Sequence, residues 1–193
     1  MKMKFNFKAA FESLLRSSQN GESRDGDNEP SSIVLLLREP NFSSLEHLRS
    51  AGERAFGRPF VTGDATEFCV FQKVLFTLMR IGPHVLSFMF YTKPYFEENS
   101  QAFAKALPLP AQRIAWNQHT SWAAINYARG PATPEVQYAV LSKLVIEILG
   151  SNCVGAFLPK KRLFVPHDGS LLQALQHYAS SLPTPLKTPN YIN

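Results

Sequence analysis

Apolar positions recur at helical spacing through PEVQYAVLSKLVIEILGSN, which begins at Pro134. Val136, Val140, Leu144, Ile148 and Leu149 form one stripe, with Tyr138, Leu141 and Val145 beside it. Thr133 can cap the first turn, Pro134 suits the first helical position, and Gly150 can end the helix. The following segments, CVGAFLP and RLFVP, read as two short strands. A helix with so wide an apolar face needs a sheet to lie on.

Upstream the pattern changes. IVLLLRE, from Ile33, is apolar without alternation, which argues for a central strand covered on both faces or one covered by the linker region. Beyond Pro40-Asn41, Ser43 or Ser44 can cap a helix whose Leu45, Leu48, Ala51, Ala55 and Phe56 share a face and whose stop is Gly57. Residues 66–81 are rich in β-formers, and Gly82-Pro83 turns them into HVLSFMFYT as a hairpin. A short helix is predicted over Phe96 to Ala106. A strand follows over Ser121 to Ala128, with Trp122, Ala124 and Asn126 on one side and Ala123, Ile125 and Tyr127 on the other. Asp168 can cap a last helix with Leu171, Leu172, Leu175 and Tyr178 on its apolar face. This order predicts an α+β fold: two βαββ-like, ferredoxin-like halves sharing a mainly antiparallel sheet, with helices packed on it.

The ends read differently. Phe7, Ala10, Phe11, Leu14 and Leu15 share a face opposite lysines, which predicts an amphipathic helix over 1–16 that docks on protein, its contact segment being Phe5 to Arg16. Residues 17–32 are polar and rich in glycine and charge, a flexible linker. The domain is expected over 33–182, and 183–193 is a proline-rich, loose tail.

With 193 residues, 45% of them hydrophobic, the chain can bury a sizeable core, and no window has the length of a membrane span. Lys4, Lys8, Glu12 and Arg16 interrupt any signal-peptide core. Cys69 and Cys153, the only cysteines, sit far apart in apolar runs and read as buried thiols, so a cytoplasmic location is expected. The net charge of +5 is scattered, and Lys160, Lys161 and Arg162 fit a solvated hairpin tip, so nucleic acid is not expected as a partner. No glycine-rich phosphate loop occurs, and no cofactor is expected.

The sharpest chemical pattern is WNQHTSW, where His119 lies between Trp116 and Trp122. In a catalytic reading His119 is a general base, Ser121 its nucleophile, and His84, after the Gly82-Pro83 turn, joins them. In the simpler reading His119 bonds backbone and the tryptophans fill the core. No nucleophile elbow is present, and two histidines make an incomplete zinc site, with His167-Asp168 the only extra pair of suitable chemistry. The expectation is therefore a non-catalytic protein-binding module, an accessory or immunity-type protein, with Trp116, His119, Trp122 and Tyr95 as binding residues. The alternative is a hydrolase-like enzyme with its pocket at His119.

IVLLLREPNFSSLEHLRSAGERAFG, IGPHVLSFMFYTKPY, HTSWAAI and CVGAFLPKKRLFVPHD together resemble bacterial domains of the DUF4261 type over Ile33 to Tyr178. The resemblance implies the α+β fold and brings no activity with it.

Overall fold

The unbroken apolar run becomes strand β1, Ser32–Leu37, and its place in the sheet explains its composition. It pairs antiparallel on one side with β6, Ser121–Arg129, and on the other with β7, Cys153–Leu158. Held in the sheet interior, it sends Ile33, Leu35 and Leu37 into one core and Val34 and Leu36 into another. This computed structural model describes residues 31–63, 66–73, 76–98 and 100–181. The helix expected over 1–16, nearly all of the linker expected over 17–32, and the tail 183–193 lie outside the described residues.

In chain order the remaining elements are α1 (Leu45–Phe56), β2 (Val61–Thr62), β3 (Phe68–Lys73), β4 (Phe76–Ile81) and β5 (His84–Tyr91). Then come α2 (Ser100–Ala106) and α3 (Pro110–Asn117) before β6, and α4 (Pro134–Ile148) before β7. A 3-10 turn (Pro159–Lys161), β8 (Leu163–Pro166) and α5 (Ser170–Ala179) complete the described chain. The eight strands form one sheet in the order β2-β3-β4-β5-β6-β1-β7-β8, antiparallel except at β2–β3. The described residues thus form a mixed fold, five helices on a mostly antiparallel sheet. Two side-by-side βαββ halves would keep β1 beside its own hairpin. Instead β1 lies between β6 and β7, so the two expected units interleave.

α1 forms as its sequence dictates: the Ser44 hydroxyl accepts the His47 N–H at 3.2 Å, and Gly57 closes the helix at φ 62°. α4 begins at Pro134, but the chain leaves the helix at Leu149, one residue before the expected glycine, and the Thr133 side chain makes no cap bond to the backbone. α1, α4 and α5 cover one face of the sheet with aliphatic side chains, Leu144 and Val140 fully buried among them. α2 and α3 cover part of the other face around Trp116.

Two local expectations change. Residues 66–81 fold as two strands, β3 and β4, because sixteen residues exceed the usual length of one strand. The helix expected from Phe96 starts at Ser100, and α3 follows it unforeseen. At the edge of α4, Glu147 keeps its partial exposure and also reaches α1: Arg54 donates Nε–H to its carboxylate at 2.8 Å. Both cysteines are buried.

Candidate binding site

His119 sits in the short connection between α3 and β6. Its Nε2 accepts the Tyr95 backbone N–H at 2.9 Å, which puts the ring proton on Nδ1, and that proton is donated to the Trp116 carbonyl. Burial pushes the imidazole below the usual histidine range, opposed by the Trp116 carbonyl. With both nitrogens spent on backbone and 6% of the residue exposed, the ring is a brace between two chain segments.

Around it, the other three residues expected to bind come together. Trp116 is fully buried and donates its indole N–H to the Ser100 hydroxyl at 3.0 Å. Tyr95 meets Trp116 at 6.4 Å and Trp122 edge-on at 4.9 Å between ring centroids. Trp122 stacks on Tyr91 at 4.2 Å, and Phe96 packs against Tyr95 at 4.3 Å. Tyr91 and Phe96 remain 41% and 44% exposed, so a buried aromatic knot ends in a surface ridge. Phe96 lies at φ 55°, where a bulky residue is strained, and its packing on Tyr95 and Phe103 opposes that strain.

His84 is elsewhere. The register sets Val85 opposite Arg129 and Tyr91 opposite Trp122, so His84 and His119 lie at opposite ends of the β5–β6 ladder, more than ~20 Å apart at the rise of a strand. The convergence of the two histidines that the catalytic reading requires does not occur. His84 Nδ1 is 2.5 Å from the Tyr127 hydroxyl, and burial lowers the one group and raises the other to about 12, so the phenol donates to a neutral ring. Gly130 closes over this pair: a Cβ there would lie 2.1 Å from Tyr127 Oη, and its φ is +149°. His167, the remaining candidate, has Nδ1 2.9 Å from the Cys153 carbonyl. Asp168 accepts from the Ser170 hydroxyl at 2.6 Å, which holds its carboxyl below the usual range. Among the described residues no three His, Cys, Asp or Glu side chains gather as a metal site.

Ser121 is fully buried and donates to the Glu39 carbonyl at 2.8 Å, while the Thr120 hydroxyl donates to the Arg38 carbonyl at 2.8 Å. From the other side, Asn152 accepts the Glu39 N–H at 2.8 Å and donates to the Glu39 and Asn41 carbonyls, each at 3.0 Å. The loop after β1 is thereby clamped by the residues that open β6 and precede β7. Beneath it lies a cleft of about 580 Å³ between the start of α1 and the end of α4. Leu35, Leu37, Ile148 and Cys153 contribute its apolar lining, and burial pushes the Cys153 thiol up to about 12, so it is neutral there. Sequence reasoning passed over this cleft. Its one signal is a cluster of loop-formers, Pro40 to Ser44 and Gly150 to Asn152, at two element junctions that the sheet order brings together.

Compared with protein-family models, curated proteins and solved structures, the chain finds no match.

Proposed function

We propose that the protein is a non-catalytic binding module for another protein, accessory or immunity-type in role, acting in the cytoplasm. The observation that carries this reading is the surface ridge of Tyr91, Trp122, Tyr95 and Phe96, pre-stacked on a buried aromatic knot. Rigid, partly exposed aromatics lose little side-chain entropy on binding and are the residues that most often dominate interface energy. His119 serves this surface by fixing Tyr95 to the Trp116 turn. The hydrolase-like alternative asks His84, His119 and Ser121 to share a pocket, and the register keeps His84 at the far end. The segment Phe5 to Arg16 belongs to the proposal as a second contact with the partner. The DUF4261 resemblance and the ferredoxin-like reading belong to it as the fold that presents the ridge, supported by the crossover β6-α4-β7 around β1.

The test is affinity capture from native lysate with full-length protein, its Tyr91→Ala/Phe96→Ala double variant, and a chain starting at Ser32. A stoichiometric partner held by the first and lost from the double variant, with unchanged urea midpoints, is the expected outcome. Retention of the partner by the double variant would remove the ridge from the proposal.

A further inference from the structure

The aromatic face of the sheet is covered by helices over part of its width. The cluster beneath α2 and α3 draws on β1, β6, β7 and β8, reaches β5 at Met89, and takes no residue from β3 or β4. Yet β3 and β4 turn apolar side chains to that face. Val70 and Met79 enter the aliphatic core, so their neighbours Cys69, Phe71 and Leu78 point the other way. Leu78 is 2% exposed, although it belongs to neither apolar cluster of the described residues. One register row crosses this face: Ser32 stands opposite Asn126, Asn126 opposite Ser87, Ser87 opposite Leu78, and Leu78 opposite Phe71. Its first three side chains are short and polar, with Asn126 donating to the Ser87 hydroxyl at 3.4 Å, and its last two are apolar. The row therefore runs from a shallow trough beside β1 to an apolar platform on β4 and β3. The chain enters the fold at the trough: the Tyr127 N–H donates to the Ser31 carbonyl at 2.8 Å, and thirty residues precede Ser31.

We infer that this platform is the docking site of the chain's own segment Phe5 to Arg16, whose apolar stripe of Phe7, Phe11, Leu14 and Leu15 lies on Phe71 and Leu78. The reach suffices. β4 is three strand spacings from β1, about 14 Å, and residues 17–30 span up to ~46 Å when extended. Twelve helical residues are ~18 Å long, enough to cross β3, β4 and β5. The other end of the chain is a poor occupant, because it leaves from α5 on the opposite face and Pro183, Pro185 and Pro189 break any helical stripe. With the apolar stripe down, Lys4, Lys8, Glu12 and Arg16, four residues apart, face outward. That polar side stays open to the partner contact proposed above, on which the inference does not rest.

The two cysteines supply the test. Cys69 stands beside the platform and reports on its cover, while Cys153 belongs to the aliphatic core and reports on the fold. Full-length protein and its Phe7→Asp/Phe11→Asp variant are treated with a maleimide, and the labelled positions are read by peptide mass. Cys69 should react roughly tenfold faster or more in the variant, with Cys153 equally slow in both. Leu78→Asp, a change on the platform itself, should speed tryptic cleavage after Lys8 and Arg16. Full-length protein should sediment as a monomer whose Cys69 labelling rate is independent of protein concentration. An unchanged Cys69 rate in the double variant, or tryptic cleavage no faster in Leu78→Asp, overturns the inference. So does a dimer that loses its Cys69 protection on dilution, which would give the platform to the segment of a second copy. None of these readouts involves Tyr91 or Phe96, so failure of the platform and failure of the ridge are separable.

Discussion

The two faces of the sheet are packed by different means. Under α1, α4 and α5 the core is mainly aliphatic, built from side chains such as Leu35, Leu141, Leu144 and Val145 with Phe60, Phe88, Tyr127 and Tyr138 among them, and long helices lie across it. Under α2 and α3 it is aromatic, centred on Trp116 with Phe157, Phe164 and Phe103, and the covering helices have seven and eight residues. Such short helices contribute little by themselves. They are pinned by side chains that bond to backbone: Gln112 donates to the Phe164 carbonyl at 2.9 Å, Arg113 to the Leu107 carbonyl at 2.9 Å, and Trp116 to Ser100. One face is held by area and the other by a few large rings with directional bonds. The second arrangement concentrates its stability in fewer residues.

Trp116→Ala should therefore show the largest effect, about 3–5 kcal/mol, since it opens a large cavity and leaves the Ser100 hydroxyl without its donor. Leu144→Ala, fully buried mid-helix on the other face, should cost about 2–5 kcal/mol. Urea melts compare them, and a Trp116→Ala midpoint above that of Leu144→Ala would reverse the contrast. Protonation sharpens it from another side. His119 belongs to the aromatic face, His84 hydrogen-bonds Tyr127 of the aliphatic core, and burial lowers both imidazoles. Below the unfolded value near 6.5 the unfolded chain takes up protons that the native chain refuses. Stability is thus complete above that pH and falls as pH drops toward the native values, by at most about 1.4 kcal/mol per pH unit for each histidine. Melts at pH 7.5, 6.5 and 5.5 should show this slope, and His119→Gln should remove its own share. A flat profile would mean that neither ring is buried neutral. The smallest change expected is Glu147→Ala, about 0.2–1 kcal/mol for its exposed-edge pair with Arg54, shrinking in high salt.

The same contrast decides what the sequence discloses. α4 is legible because fifteen residues repeat one period, and β1 because an unbroken apolar run can only be interior. α3 is not, since eight residues offer one buried position, Trp116, and its helix is secured by Gln112 bonding a strand fifty-two residues away. The cluster of Trp116, His119 and Trp122 is legible in WNQHTSW, as aromatic clustering around a histidine is local. Tyr95 comes to His119 through its backbone N–H, a bond that no side-chain pattern encodes. Sequence alone does not separate His84 from His119, because a hairpin turn and a loop look alike in it. Strand register alone sets them at opposite ends. The cleft is illegible for a related reason: its walls come from Leu35 to His47 and from Ile148 to Cys153, and only the insertion of β1 beside β7 joins them.

That insertion also bears on how the chain is made. β1 emerges from the ribosome long before β6 or β7, whose first residues are Ser121 and Cys153. At ~5–20 residues per second the apolar strand waits on the order of ten seconds with both hydrogen-bonding edges bare. An interior strand of the finished sheet is thus the most exposed hazard of the nascent chain, and elongation rate and chaperone supply, rather than native stability, should set the yield of folded protein.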